Sequence, residues 1–599
     1  MLRDSDNGSG SDLDDSSGWS SNSSNDSDDH GFSSDDGNSD VEDDDNTQEP
    51  DSVLSFVWSD GEGFIPDVHP FQCDRPGVTG EFPCDDQARE SDYFRAYMDD
   101  EVMSFIAEQT NAQHRRRSAS EGVDEDTPRS RTPKWQDTTP RELYEFFALI
   151  LLMPLNKKAA SQLYWSRNPV YRSDIFATYM SRNRFSSLLK YLHFADNENP
   201  NLDDRIWKVR EVFTMLLSRY KKYFYPFQKL IIDESIMPFK GRIYLKQFNP
   251  HKRHRFGIKL FILCDCETGM VLDVIVYTGS DVDIPRVNRK DPIGYSGSCV
   301  KTLMATYLGK GHILYTDNWY TSPALSHFLH DNNTGSCGTV KANRKFMPKF
   351  DGQKKILDNP SVSDTQDGDA AHDQNKCGNR NKDRYIQTKR SGKFLAVKFH
   401  DKRDVHFFST VHTGEVVRTG KQHYTTKKHI TKPDVVVDYN ENMRLVDKCD
   451  SMLSHTECIR PTVRWYIKLF FRFVDITMLN AFNMWLVTHE SGPTHKLSLR
   501  KFHERVAVQL LQDFGVPRAT VNGGHHFPQI DRLAGLASVH RPVYTETVNG
   551  QKRQLNCYVC SHTTRRPKQR KRTQIKCSAC DVALCIVSCF GDYHALKNF

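Results

Sequence analysis

The sequence lacks any apolar run near the roughly 20 residues needed to span a bilayer. Its most hydrophobic stretch, Phe146 to Leu155, carries Pro154 near its end and is expected to be a buried helix. The acidic N-terminus lacks the basic-then-apolar start of a secretory leader. Evenly spread cysteines are also missing, since six of the fifteen fall within Cys557–Cys589. That distribution argues against a secreted disulfide scaffold and points to a reducing compartment. The stretch from Met1 to Asp60 nearly lacks cations: Arg3 is its one Lys or Arg beside 18 Asp and Glu. Large apolar side chains are too few in this part to build a core. Residues 1–130 are therefore expected to be a disordered acidic region, with a small helix over Tyr93 to Ile106.

The rest of the 599-residue chain is the opposite. Residues 61–599 hold 80 Lys and Arg against 59 Asp and Glu, a net charge of +21. A body that basic suits a polyanionic partner. The length allows several domains. Ordered structure is expected from Trp135. Thr139-Pro140-Arg141-Glu142 reads as a capping box with proline in the first turn. Helical spacing follows in Leu143, Phe146, Phe147 and Ile150, then in Phe185, Leu188, Leu189 and Leu192, then over Ile206 to Tyr225. From Leu230 to about Lys345 the pattern turns to strands, with a hairpin over Gly257 to Tyr277. Asp265 fits the turn of that hairpin and Asp273 its second strand. After a polar stretch from Phe346, Phe394 to His412 alternates as a β element. Thr462 to Leu486 is a long apolar helix.

Two short apolar runs end in a carboxylate: Leu230-Ile231-Ile232 before Asp233, and Ile313-Leu314-Tyr315-Thr316 before Asp317. An aspartate there sits at the rim of a core, within reach of solvent, substrate or metal. Thr321-Ser322-Pro323 then opens a helix. Asp447 and Asp450 lie three apart in a helical pattern, on one face. Like charges so placed repel unless a cation lies between them, and a divalent ion with hard oxygen ligands is the natural one.

These aspartates, in this order, resemble the catalytic residues of the piggyBac family of DNA transposases. The resemblance extends to Phe239-Lys240-Gly241-Arg242, to Asp317-Asn318-Trp319-Tyr320-Thr321-Ser322, to Tyr439-Asn440 and to Arg464-Trp465. It runs from about Trp135 to the C-terminus. It implies an α/β RNase H-like catalytic core inserted in a helical dimerisation and DNA-binding domain, with a β-containing insertion. The organisation expected is disordered acidic residues 1–130, helical domain 131–226, catalytic core 227–345, insertion 346–430, core again 431–456, helical domain again 457–515, linker 516–552 and Cys-rich zinc domain 553–599. The implied chemistry is cut-and-paste transposition: phosphodiester cleavage with Mg²⁺ or Mn²⁺ held by Asp233, Asp317, Asp447 and Asp450, hairpin ends, and joining to TTAA. The implied partners are double-stranded DNA (terminal inverted repeats and target) and a second copy of the chain, with no membrane. A domesticated descendant that binds DNA or chromatin without transposing is the alternative.

Cys557-x2-Cys560 and Cys577-x2-Cys580 are a strong zinc signal, because each pair presents two thiolates to one tetrahedral ion. With Cys585, Cys589 and His594 they supply seven ligands of a two-zinc cross-brace, and His562 is expected as the eighth. A RING has Cys-x-His-x2-Cys between its Cys pairs, so a ubiquitin ligase is disfavoured, as is a histone-tail reader. Between the pairs run Arg565, Arg566, Lys568, Arg570, Lys571 and Arg572. This cluster reads as a nuclear localisation signal, a DNA contact or both, and the expected compartment is the nucleus.

Overall fold

The computed structural model describes residues 54–121, 135–248, 256–279, 291–357, 384–458, 464–489, 497–518 and 540–599, with Ile284 and Thr462, apart from a few positions within those ranges. The acidic stretch up to residue 53, the polar segment 358–383 and the linker segment 519–539 lie outside the described residues. The chain divides into two compact units, 1–517 and 518–599.

The first unit opens with a short edge strand, β1 (Ser59–Asp60). The helices α1 (Glu90–Tyr97), α2 (Asp100–Glu121), α3 (Pro140–Leu155), α4 (Arg182–Tyr191) and α5 (Trp207–Tyr223) follow. The Thr139 hydroxyl accepts a hydrogen bond from the Glu142 N–H at 3.3 Å, with Pro140 at the first position of α3. Ser181 caps α4 through the Arg184 N–H at 3.1 Å. Such caps satisfy backbone donors that the helix itself leaves unpaired.

The next ten strands are β2 (Lys229–Pro238), β3 (Lys246–Phe248), β4 (Phe256–Asp265), β5 (Val271–Val276), β6 (Ile313–Thr316), β7 (Gly335–Thr339), β8 (Lys355–Leu357), β9 (Arg384–Ser391), β10 (Phe394–His400) and β11 (Asp404–Ser409). Helices α6 (Gly294–Met304) and α7 (Pro323–Asp331) connect β5 to β6 and β6 to β7. All eleven strands form one mixed sheet in the order β1-β9-β10-β11-β7-β6-β2-β4-β3, with β8 on β9 and β5 on β4. The pairs β2–β6 and β6–β7 are parallel; the other pairings are antiparallel. The strands of the expected insertion therefore continue the same sheet, through β11 on β7. Leu395, Val397 and Phe407 of these strands share a buried cluster with Tyr315 of β6. Asp265 does serve its turn, accepting from the Thr268 N–H at 2.8 Å, and Asp273 pairs with Lys221 at 2.6 Å.

A hairpin, β12 (Val416–Gln422) with β13 (His429–Pro433), leads into α8 (Asp434–Asn442), α9 (Leu445–Ser454), α10 (Trp465–Thr488) and α11 (Leu499–Phe514). The α10 helix is buried along most of its length and packs back on the earlier helices. Phe470 meets Phe147 at 5.8 Å between ring centroids, and Phe473 meets Phe213 at 4.3 Å. The α11 helix lies along α3, and His503 Nε2 bonds the Leu151 carbonyl at 2.8 Å.

The expectation of disorder through residue 130 is corrected. Residues 54–121 fold into the first unit. Tyr93, Phe94 and Tyr97 of α1 are fully buried, and α1 packs against α10 and α11. The buried Arg219 guanidinium of α5 donates to Asp99 at 2.7 Å and to Glu101 at 2.8 Å. The local aromatic spacing carried this helix, while the composition of the whole window was set by its acidic first half. In the second unit, Pro542–Tyr544 pairs with Ile575–Cys577, so residues 540–552, expected in the linker, belong to the Cys-rich unit.

Phe94→Ala should cost about 3–5 kcal/mol, the range for emptying a buried phenylalanine site. Urea unfolding measures this, and a loss under about 1 kcal/mol would show that α1 is not part of the core.

Candidate active site and metal centres

In the parallel pair β2–β6 the last matched residues are Ile232 and Thr316. The next residue on each strand is an aspartate, so Asp233 and Asp317 come side by side from segments distant in sequence. Carboxyl ends of neighbouring parallel strands commonly form ligand-binding crevices. Their backbones are held locally. Asp317 Oδ1 accepts from the Trp319 N–H at 2.9 Å, while its carbonyl accepts from Thr321. Behind this turn the Thr316 and Thr321 hydroxyls pair at 2.8 Å. Gly338 of β7 makes room for them, since a Cβ there would lie 2.2 Å from Thr321 Oγ1.

The electrostatics are those of crowded, half-buried carboxylates. Burial, then the Asp317 and Glu234 charges, then Asp447 further off, push the Asp233 carboxyl well above the usual carboxylate range. Burial and Glu234 raise Asp317 to about 6, against the opposing pull of Lys259. Lys259 Nζ pairs with Glu234 at 2.7 Å and lies 4.5 Å from the centre of the Trp319 ring.

The two aspartates of α9 part company, although they lie three residues apart. The helix packs on β2. Asp447 is exposed and makes no ion pair among the described residues. Asp450 faces inward. Its Oδ1 accepts from the buried Arg472 guanidinium of α10 and from Ser235 Oγ of β2 at 3.0 Å. Arg472 also donates to Ser235 Oγ at 3.0 Å. Asp450 thus ties α9 to α10 and to the strand that carries Asp233. Glu234, Ser235, Lys259 and Arg472 were not singled out from the sequence. Their roles depend on partners far along the chain, which no local pattern reports.

Hard carboxylate oxygens with uncompensated negative charge fit Mg²⁺ or Mn²⁺, which take few protein ligands and keep waters. Among the described residues, the oxygens of Asp233, Asp317 and Asp447 do not all fall within 4.8 Å of one another. These three carboxylates therefore do not form a closed cage of ligands, and the space beside Asp233 and Asp317 is called the acidic crevice below.

The Cys-rich unit contains two tight groups whose ligand atoms lie within 4.8 Å of one another: Cys557, Cys560, Cys585 and Cys589, and His540, Cys577, Cys580 and His594. Cys560 and Cys589 Sγ are 3.5 Å apart; Cys580 Sγ is 3.3 Å from His540 Nδ1 and 3.6 Å from His594 Nε2. Four soft donors at such separations fit a tetrahedral Zn²⁺. Donors also reach the sulfurs: the Cys585 N–H meets Cys557 Sγ at 3.3 Å and Arg566 meets Cys589 Sγ at 3.0 Å. The expectation for His562 is corrected. Its ring is exposed, stacks on Tyr558 at 4.2 Å and bonds the Tyr558 carbonyl at 2.9 Å. His540 takes its place. It lies well before Cys577, outside the segment in which a ligand was sought, and β pairing of Pro542–Tyr544 on Ile575–Cys577 brings it in. Arg565, Arg566, Lys568, Arg570, Lys571 and Arg572 are exposed on the segment between the groups.

The first unit thus sets Asp233, midway along β2, beside Asp317, just past the end of β6, and a Cys-rich unit follows it in the sequence. The profile of a family described as Transposase IS4 matches residues 89–482, most of the chain. Human PiggyBac transposable element-derived protein 3 is 23% identical over 509 residues, covering 83% of this chain and 75% of that protein. Human PiggyBac transposable element-derived protein 2 is 19% identical over 421 residues, covering 68% and 63%. A structure titled as the piggyBac transposase synaptic complex with hairpin DNA superposes with a TM-score of 0.60 at 20% identity, over 86% of this chain and 98% of that one. The chain belongs to the piggyBac transposase family. Among the described residues no helix is long and apolar enough to cross a membrane.

Two outcomes are expected. His540→Ala should lower the zinc bound per chain and His562→Ala should not, as read by metal analysis of purified protein; the reverse result would restore His562. For Asp317 the folded pKa is raised, so the ionised form is disfavoured in the fold. Its destabilisation appears as pH rises from the unfolded value near 4 through about 6 and is complete above that. In metal-free protein at pH 7.5, Asp317→Asn should then raise stability by about 1–2 kcal/mol, with little effect near pH 4. A uniform effect at both pH values in thermal unfolding would contradict the crowding argument.

Proposed function

We propose that this chain is a cut-and-paste DNA transposase with an RNase H-like catalytic core. The observation that carries the reading is the meeting of Asp233 and Asp317 on neighbouring parallel strands, with their carboxyls raised by burial and by crowded negative charge. Such a pair is costly unless a cation or a proton relieves it.

In this reading Asp233, Asp317 and Asp447 hold Mg²⁺ or Mn²⁺. When bound, these ions supply the positive charge that activates water and steadies the leaving oxygen of a phosphodiester. Asp233 and Asp317 must shed their protons to bind, so metal binding competes with protons and weakens as pH drops. Asp450 acts through Arg472 and Ser235, setting the angle at which α9 offers Asp447 to the crevice. Lys259, paired with Glu234 and seated on Trp319, stiffens the rim around Asp317. The reaction proposed is a nick at each transposon end, attack of the freed 3′-OH on the opposite strand to give a hairpin, and joining to TTAA. The basic body of the chain and the hairpin DNA named for the superposing transposase support DNA as substrate. Zinc at the two Cys/His groups folds the C-terminal module, whose basic segment Arg565 to Arg572 serves DNA contact or nuclear entry. A homodimer in the nucleus completes the proposal.

A second reading is a domesticated derivative that binds DNA without transposing. It is favoured by the human relatives, whose names call them transposable element-derived. Asp233→Asn separates the readings. Nicking of terminal-repeat DNA with Mg²⁺ should be abolished in the variant while duplex binding stays within about twofold. Equal nicking by wild type and variant would remove Asp233 from the chemistry, and no nicking by wild type would favour the domesticated reading.

A further inference from the structure

The hairpin β12–β13 has no role in the crevice just described. Its stretch from Val416 to Lys432 contains five cations, Arg418, Lys421, Lys427, Lys428 and Lys432, and no Asp or Glu. It forms a two-stranded sheet of its own, outside the large sheet. Its outer part is strongly exposed: Arg418, Gly420, Lys421, Gln422, Tyr424, Lys427 and His429 all face solvent. The Tyr424 ring is 89% exposed, with Lys427 Nζ 5.3 Å from its centre.

Short-range bonds order the tip. The His423 N–H donates to the Lys428 carbonyl and the Lys427 N–H to the His423 carbonyl, both at 2.9 Å. Lys427 takes a left-handed backbone, φ 56°, which costs energy for a side chain of its kind and sets it at the turn. The root is fastened too. The Asp434 carboxylate accepts from the Thr413 N–H at 2.9 Å and the Gly414 N–H at 3.1 Å, and Pro433, opposite Val416, is buried. The nearest acid in sequence on that side is thus consumed by the backbone. Arg418, Lys421 and Lys427 have no ion pair among the described residues. Burial is the main cause that pushes Lys432 below its ordinary range; Asp401 opposes it, and Arg384, Arg444 and Lys421 add to it.

A surface ribbon with this much unpaired positive charge draws anions toward it. We propose that the β12–β13 hairpin is a duplex-DNA contact, with Arg418, Lys421 and Lys427 on successive backbone phosphates and Tyr424 at the sugar edge. A two-stranded ribbon has the width to enter a major groove and to rest its cations on the flanking phosphates. The inference rests on the reading of DNA as substrate and adds a site to it, distinct from the acidic crevice and from the Arg565 to Arg572 segment. The other anionic occupant available is the chain's own acidic N-terminal region; the width of a two-stranded ribbon suits a duplex groove better.

The test uses the full-length chain and a non-specific duplex of about 25 base pairs, with binding followed by fluorescence anisotropy between about 50 and 200 mM salt. R418Q/K421Q/K427Q should lower the slope of log affinity against log salt by about 2–3 and weaken binding at least tenfold at the low-salt end. Its thermal unfolding should match wild type, since all three side chains are exposed. K568Q/R570Q/K571Q serves as the comparison at the other basic segment. An unchanged slope in the hairpin variant, with wild type binding normally, overturns the hairpin contact and leaves the DNA reading intact. Tighter binding by the hairpin variant also overturns it and assigns the ribbon to the acidic N-terminal region. Failure of the wild-type chain to bind duplex at all sinks both readings.

Discussion

The rest of the first unit depends on one electrostatic conflict: two half-buried carboxylates, Asp233 and Asp317, held beside each other. Backbone pairing in the parallel β2–β6 ladder enforces the proximity, and apolar residues behind both strands prevent the chain from relaxing away. Leu230, Ile231, Ile232 and Leu314 are fully buried. Hydrophobic burial at roughly 25 cal/mol per Å² thus holds together charges that would separate in water. No ion pair of the described residues neutralises this repulsion, and in the proposed reading a cation relieves it.

Around that conflict the charges are sorted. Glu234, next to Asp233, has Lys259, and Asp450, three residues from Asp447, has Arg472. Both pairs are largely shielded, where breaking a pair leaves a costly lone charge. Their value is geometric. Arg472 and Ser235 join α10, α9 and β2 at one point, so the helix that brings Asp447 is fixed to the strand that brings Asp233. The Asp438 carboxylate of α8 braces a second point of the sheet, meeting Lys229 at 2.6 Å, His412 at 3.0 Å and the Tyr315 hydroxyl. Burial opposes it, yet these partners hold Asp438 far below the usual carboxylate range. Neutralised acids brace the strands and helices around Asp233 and Asp317, which themselves make no ion pair among the described residues.

The second unit solves a different problem. With few large apolar side chains it gathers Cys557, Cys560, Cys577, Cys580 and Cys589 with Val559, Leu584 and Tyr593 into its small core. Ligand atoms close enough for two ions sit in and around that core, and in the proposed reading zinc binding and folding of the module are one event. The basic stretch between the groups stays exposed because its charges cannot be buried there, which leaves it available to an anionic surface.

Local chemistry was enough to read much of this protein. The caps at Thr139 and Ser181, the apolar runs before Asp233 and Asp317, the turn at Asp265 and the paired Cys-x2-Cys motifs are all short-range, so the sequence by itself determined them. Phe394 to His412 could likewise be read as strands. That these strands extend the sheet carrying Asp233 could not, because β-pairing partners are set by three-dimensional register rather than by pattern. The helix at Tyr93 was legible from its aromatics, but its place in the core was not. Only the tertiary structure decided that Asp450 turns from the crevice toward Arg472 while Asp447 stays outward, since helical spacing alone puts both on one face. It likewise chose His540 over His562 to complete the second Cys/His group. Coordination selects donors by distance in space, and a short strand pairing brings His540 closer than the histidine two residues from Cys560.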